Sequence, residues 1–198
     1  MKSKALILGV ALLVLGVGAA NAGTNWIGFS GGAGIPTGDY GDAATTGWHI
    51  GATGTHMVND QWGLGGDIGY HAWAGSSSAN AAAELLFGAG SEFSWSAFQA
   101  SGHAVMMFPT QSNVKPYANV GLGIYDIALK LTTPTGDDNT SKTKLGFNFG
   151  GGMNFVGSGN QRWGMDAAYH IVPAQDDLGT DINFFTLGVN LMWGLTTK

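Results

Sequence analysis

The chain contains no cysteine, so no disulfide bond can hold its fold together. It is also poor in charge, because Lys, Arg, Asp and Glu make up only 11% of its residues. Soluble domains typically carry about 25% charged residues, most of them on the surface. This shortage of charge argues against an ordinary soluble domain.

Basic residues are scarcer than acidic ones. Of the 8 Lys and Arg, Lys2 and Lys4 lie in an N-terminal segment that we expect to be removed, which leaves six against 13 acidic residues. Nucleic-acid binding requires a basic face. Nucleic acid is therefore not an expected partner.

Long apolar runs are also lacking, apart from Ala5–Val17. This run is shorter than the roughly 18–20 residues of a membrane-spanning helix, which argues against the alternative of a single anchor. Two lysines precede it and Ala20–Ala22 follows it, which is the pattern of a secretory signal peptide. We predict a signal peptide over residues 1–22 and one domain over residues 23–198. Any further passage through a membrane then has to use strands.

The clearest pattern in this domain is a pair of alternating segments within Thr143–Ile171, separated by the turn Gly157–Asn160. The alternation predicts two strands of a hairpin. One face carries bulky apolar side chains, and the other consists mostly of glycine and small or polar residues. This sidedness is typical of a barrel with lipid outside and a narrow polar lumen inside. The predicted outward residues include Leu145, Phe147, Phe149, Met153, Phe155, Trp163, Met165, Tyr169 and Ile171.

The same alternation recurs along the chain and predicts eight strands, with short turns and longer loops in alternation. We place them at about residues 25–35, 48–58, 62–73, 93–108, 114–131, 144–155, 162–171 and 182–195. The pattern predicts an all-β fold, an eight-stranded antiparallel up-and-down transmembrane β-barrel with periplasmic termini and extracellular loops. The first and last strands must pair, because no backbone N–H can stay unpaired in hydrocarbon.

Aromatic residues support the membrane interpretation, because they occur where the two headgroup regions would lie. A soluble lipocalin-like barrel is the alternative, and it would need polar residues on the face that carries Phe147 and Phe149. The predicted belt at the short turns contains Trp62, Phe108, Phe155, Trp163 and Trp193, and the opposite belt contains Trp48, Tyr70 and Tyr169.

The segment Lys115–Gly123, KPYANVGLG, resembles a stretch common in the fifth strand of small eight-stranded outer-membrane barrels. These families include the W- and X-type outer membrane proteins and the barrel domain of outer membrane protein A. The resemblance implies a bacterial outer-membrane location. Such families usually end on an aromatic residue, whereas this chain continues from Trp193 through GLTTK, which leaves the end of the last strand open.

Two inward residues, Ser101 and His103, raise the alternative of a lipid A-modifying enzyme, because some barrels of this size are deacylases or acyltransferases. A serine nucleophile needs a base within hydrogen-bond reach. The deacylases resemble one another through a His-x-Ser order, and this chain has the reverse. We therefore predict no enzyme activity and no catalytic residues.

His49 and His71 should be neighbours across a hairpin, and Asp67 and His170 face the same lumen. Imidazoles and a carboxylate could bind zinc, but a zinc site needs three or four converging ligands. We predict hydrogen-bonded side chains that fill the lumen, with no metal and no cofactor.

The inward polar residues are predicted to form a network that plugs the lumen, with a gated narrow pore as the alternative. Arg162 and Asp166 are expected to be coupled, because they lie two residues apart on one face. The predicted lumen network comprises Asp67, His71, Gln99, Lys144, Arg162, Asp166 and His170.

Acidic residues concentrate in the predicted loops, where solvation explains them or where divalent cations could bridge them to lipopolysaccharide. We expect outer-membrane lipid and lipopolysaccharide as partners and a monomeric state. The predicted role is structural or surface-interactive, and passage of small solutes or apolar molecules is the alternative. The loop carboxylates are Asp39, Asp42, Glu84, Glu92, Asp137, Asp138, Asp176, Asp177 and Asp181.

Overall fold

A computed structural model describes residues 24–157, 159–174 and 181–195. The predicted signal peptide, residues 1–22, lies outside these residues and stays a prediction. The strands are β1 (Asn25–Thr37), β2 (Gly47–Met57), β3 (Trp62–Ala74), β4 (Glu92–Met107), β5 (Val114–Thr133), β6 (Gly136–Val156), β7 (Gln161–Val172) and β8 (Ile182–Leu195). Two helices, α1 (Asp39–Ala43) and α2 (Ser77–Phe87), lie in the first two long connections.

Each strand pairs antiparallel with its neighbours in sequence, and the sheet closes on itself through β1 and β8. The closing ladder runs from Asn25 opposite Leu195 to Thr37 opposite Asn183, which places the end of the last strand at Leu195. Closure satisfies the edge backbone groups that lipid could not satisfy. The predicted eight-stranded up-and-down barrel is therefore confirmed.

The side-chain alternation also agrees with the predicted faces. Phe149 is half exposed on the outer face, and its neighbour Asn148 is buried inside. Trp48 and Tyr70 lie outward near the long-loop end, and Trp163 lies outward near the short-turn end. The outer surface is thus apolar, as a lipid-facing barrel requires.

Two connections differ from the sequence analysis. The segment from 132 to 142 was expected to be a loop, but β5 and β6 continue as a paired hairpin to Thr133 and Gly136. An ion pair of 2.6 Å between Lys130 and Asp137 joins the two strands there. The hydrogen bond from Lys130 also holds the pKa of the Asp137 carboxyl below its usual value.

Helix α2 was not predicted, although its signals are present in the sequence. Ser76 caps it by accepting a hydrogen bond from the amide of Ala79 at 3.2 Å. Alanines follow, which favour helix, and Gly88 ends the helix with a φ of 103°. No helix among the described residues is long and apolar enough to cross a membrane.

The short turns, the start of β1 and the end of β8 lie at one end of the barrel, and the longer connections lie at the other. In bacterial outer-membrane barrels the short turns are periplasmic. An epitope tag at Ser77 or Gly136 is therefore expected to bind antibody on intact cells. The same tag at Gly159 should be detected only after the outer membrane is permeabilised, and its detection on intact cells would reverse the orientation.

Candidate functional site

Glycines on the inner face make room for large rings from neighbouring strands. A Cβ added at Gly34 would lie 2.9 Å from Nε1 of Trp73, which donates a hydrogen bond to the Gly34 carbonyl at 3.1 Å. A Cβ at Gly146 would lie 2.8 Å from the ring of Tyr125. These inward glycines thus lie directly against bulky rings from neighbouring strands, where a larger side chain would collide.

A cluster of buried apolar residues lies at the long-loop end of the barrel, and we call it the apolar cap. Its centre is Tyr40 of α1, which is 1% exposed and packs edge-on against Trp73 at 5.5 Å and Trp95 at 5.4 Å. Burial raises the pKa of the Tyr40 phenol, so the hydroxyl stays neutral. The cap consists of Tyr40, Ala44, Trp73, Trp95, Ala97, Tyr125, Ile127, Val172, Ile182 and Phe184.

Three histidines lie near the cap, and their rings pack against aromatic residues. His71 stacks on Trp73 at 5.6 Å and on His49 at 5.7 Å, and His170 stacks on Phe184 at 4.5 Å. Within residues 24–157, 159–174 and 181–195, no group of three or more His, Asp or Glu is placed to hold a metal ion. The three imidazole rings make contacts with one another and with the rings of Trp73 and Phe184.

Hydrogen bonds with two neighbouring side chains hold the His170 ring beside the apolar cap. The Tyr125 hydroxyl lies 3.0 Å from Nδ1 of His170, and Nε2 of the same ring lies 3.2 Å from the Thr186 hydroxyl. Asn148 donates to the Tyr125 hydroxyl at 3.3 Å. The alternation of side chains along β7 places His170 inside the barrel, but it does not reveal the hydrogen bonds that link it to Tyr125 and, through Tyr125, to Asn148.

Asp67 is the centre of a second hydrogen-bonded group. His103 contacts its carboxylate at 2.7 Å, and Ser101 donates to the same oxygen at 3.5 Å. Gln99 donates to Ser101 at 2.9 Å and accepts from Nε2 of His71 at 3.1 Å. Three members of the predicted lumen network are thus connected.

Ser101 and His103, the two residues that raised the enzyme alternative, both contact Asp67. The Ser101 hydroxyl is directed at the Asp67 carboxylate, and no hydrogen bond between Ser101 and an imidazole occurs in the described part of the chain. His103 uses its second nitrogen on the Thr55 hydroxyl at 3.1 Å. Ser101 and His103 are thus linked through the Asp67 carboxylate rather than by a hydrogen bond to each other.

The remaining charged members of the predicted network are Lys144, Arg162 and Asp166. Arg162 lies 3.8 Å from the ring centroid of Trp26, and Asp166 accepts a hydrogen bond from Asn190 at 2.7 Å. The buried ammonium of Lys144 has no hydrogen-bond partner among the described residues. Among the ion pairs of the described residues, none joins Arg162 to Asp166, and the coupling of the two residues stays a prediction.

A cavity of about 170 Å³ lies within the barrel, and we call it the lumen cup. A wider cavity of about 690 Å³ opens at the short-turn end. Both are lined by Trp26, Met57, Met107 and Arg162, so the cup opens toward that end. The walls of the cup include Thr53, Asp67, Asn119, Asn154, Asp166 and Asn190.

A closed eight-stranded barrel with an apolar outer surface and a polar lumen defines an integral outer-membrane protein. Residues 8–193 match the family model of the outer membrane protein beta-barrel domain. The chain belongs to this family and lies in the cell outer membrane. No curated protein matches the chain.

Solved structures with the same fold include neisserial surface protein A, with 17% identity, a TM-score of 0.56 and coverage of 86% of this chain and 96% of that one. Ail, the attachment invasion locus protein of Yersinia pestis in complex with the heparin analogue sucrose octasulfate, has 16% identity, a TM-score of 0.54 and coverage of 87% and 100%. OprG of Pseudomonas aeruginosa has 15% identity, a TM-score of 0.50 and coverage of 89% and 97%. At these identities the likeness extends to the fold alone.

Proposed function

We propose that the protein is a non-conducting outer-membrane barrel whose role is structural and surface-interactive. The barrel anchors the chain, and its long connections present the contact surface outside the cell. The observation that carries this proposal is the apolar cap. A continuous pore would need a polar path past Tyr40, and the rings of Trp73, Trp95 and Phe184 occupy that space.

The exposed connections support a surface role. Helix α2 ends in three large apolar residues, Leu85, Leu86 and Phe87, which are 86%, 72% and 49% exposed. Single exposed apolar residues are ordinary, but a contiguous group outside the lipid-facing belt is typical of a contact surface. This tip is a candidate contact point at the long-loop end.

The charge of the long-loop end constrains what it contacts. Acidic residues dominate there, including Asp39, Asp42 and Glu84. Ail is crystallised with a polyanion, the heparin analogue sucrose octasulfate, but the acidic connections of this chain would repel such a ligand. The partners we propose are membrane lipid around the barrel and lipopolysaccharide at the connections, with divalent cations between the two sets of anions.

Cation bridging has a measurable consequence. Magnesium is expected to raise the unfolding temperature in vesicles that contain lipopolysaccharide more than in vesicles of phosphatidylcholine alone, at equal ionic strength. Asp39→Asn combined with Asp42→Asn should reduce that difference. An equal magnesium effect in both vesicle types would argue against bridging.

The second candidate is a narrow pore for small solutes, and the open lumen cup favours it. Single-channel recording in planar bilayers separates the two functions. We expect no discrete conductance steps from the parent protein, because the cap blocks the long-loop end. Reproducible conductance steps from the parent protein that lipid alone does not give would contradict the non-conducting barrel and support the pore.

A further inference from the structure

The lumen cup has the shape of a binding site that is open at one end. The apolar cap lies toward the long loops, and the mouth of the cup lies at the short-turn end near Met57, Met107 and Arg162. Its volume of about 170 Å³ is similar to that of a cavity of about 150 Å³ that accommodates benzene. A molecule of a few heavy atoms therefore fits, and it would enter from the periplasm.

Two buried asparagines of the cup wall, Asn154 and Asn190, carry side-chain oxygens that lack a hydrogen-bond partner among the described residues. Asn154 is 5% exposed and Asn190 is 8% exposed. The orientation of Asn190 is fixed chemically, because its Nδ2 donates to the Asp166 carboxylate, which can only accept. A Cβ added at Gly164 would lie 2.6 Å from the Asn154 oxygen and 2.8 Å from the Asn190 oxygen, so both oxygens lie beside this glycine.

With its histidines counted as neutral, the wall carries two carboxylates against one guanidinium, that of Arg162. Asp67 and Asp166 both line the cup, and the side chain of Asp67 keeps 28% of its surface exposed within the barrel. Hydrogen bonds reach only one oxygen of each carboxylate. The His103 ring is hydrogen-bonded to Asp67, and the one guanidinium, that of Arg162, lies against Trp26 at the mouth.

These features define the ligand by its chemistry. Unpartnered buried acceptors are costly, and they favour a molecule that donates several hydrogen bonds. Two carboxylates in a partly desolvated lumen attract a cation and repel an anion. An alkylammonium group supplies three N–H donors and one positive charge.

We propose that the lumen cup binds a small organic ammonium ion, held by Asp166, Asn154 and Asn190 and admitted from the short-turn end. The stacking of Arg162 on Trp26 is part of this arrangement, because it keeps the guanidinium away from Asp166. Surface contacts of the long connections do not depend on this site.

Labelling at a single cysteine tests the proposal cleanly, since the chain has none of its own. Thr53 lines the cup, and Thr53→Cys places a thiol there. The refolded barrel is treated in detergent with aminoethyl or sulfonatoethyl methanethiosulfonate, one cationic and one anionic. Each rate is divided by the rate with free cysteine, and folding of every variant is checked by heat-dependent gel mobility.

We expect the cationic reagent to be favoured by about tenfold or more, as focusing of charge in a cleft predicts. Ethylammonium chloride should slow labelling in a saturable manner, whereas sodium chloride at the same ionic strength should not. Asp166→Asn should lower both the preference and the protection. Asp138→Asn removes an equal charge at the far end of the barrel and should leave both unchanged.

Two results would overturn the proposal. Labelling that ethylammonium does not slow would mean that the cup holds only water. Equal effects of Asp166→Asn and Asp138→Asn would mean that net charge alone, rather than the cup wall, selects the reagent.

Discussion

Phe149→Lys is expected to lower the free energy of unfolding from lipid vesicles by about 2–4 kcal/mol, because the ammonium would face hydrocarbon near the bilayer midplane. Phe149 lies on the outer face of β6, half exposed, between Leu145 and Phe155 at the two ends of the lipid-facing stretch. The measurement is equilibrium unfolding in urea with vesicles present.

Two controls on the same strand test the cause of this loss. Leu145→Lys shares the face but lies near the headgroups, where the cost falls to about 0–1 kcal/mol. Asn148→Lys places the charge in the lumen, where Asp67 and Asp166 are available, so its cost should be smaller than that of Phe149→Lys. Equal losses at all three positions would contradict the assigned register, and folding of the parent without lipid would contradict the membrane barrel.

The sequence predicts the strands and their faces because one physical rule governs them. In a lipid-embedded barrel every second side chain meets hydrocarbon, so the alternation of Leu145, Phe147 and Phe149 repeats without interruption. Closure then follows from the need to pair every backbone group. Strand ends are less constrained outside the membrane, which is why β5 and β6 extend beyond the predicted limits.

The interior is harder to predict, because parity along a strand places a residue inside but does not choose its partner. Arg162 and Asp166 share the inner face, yet Arg162 stacks on Trp26 from β1 and Asp166 bonds to Asn190 from β8. Those contacts depend on the position of each neighbouring strand. Spacing within β7 alone contains no such information.

The cap was missed for a similar reason. Tyr40 belongs to a connection of Gly, Asp, Ala and Thr that lacks any periodic pattern, and α1 has only five residues. Its burial arises from Trp73 and Trp95, which come from two other elements. A lone aromatic residue between acidic residues in a polar loop was the available signal, since such a residue needs an apolar neighbour.

Tyr40→Ala is expected to lower the free energy of unfolding by about 3–5 kcal/mol, which is more than the loss expected from Phe149→Lys. The reason is that truncation of a buried aromatic residue leaves a cavity between rings. Tyr40 is 1% exposed and lies among the other residues of the apolar cap. Urea unfolding in vesicles measures the loss.

Tyr70→Ala is the matched control, because Tyr70 is 40% exposed on the lipid-facing side. Lipid fills the space it leaves, so the cost should be limited to its ring contact with Trp48, about 0.5–1.5 kcal/mol. Tyr40→Phe separates the ring from its hydroxyl, which has no hydrogen-bond partner in the described chain. Removing that buried group should be neutral or stabilising by up to about 1 kcal/mol. A large loss of unfolding free energy from Tyr40→Phe would mean that the hydroxyl, rather than the ring, stabilises the cap. Equal losses from Tyr40→Ala and Tyr70→Ala would mean that the loop containing Tyr40 does not close the barrel.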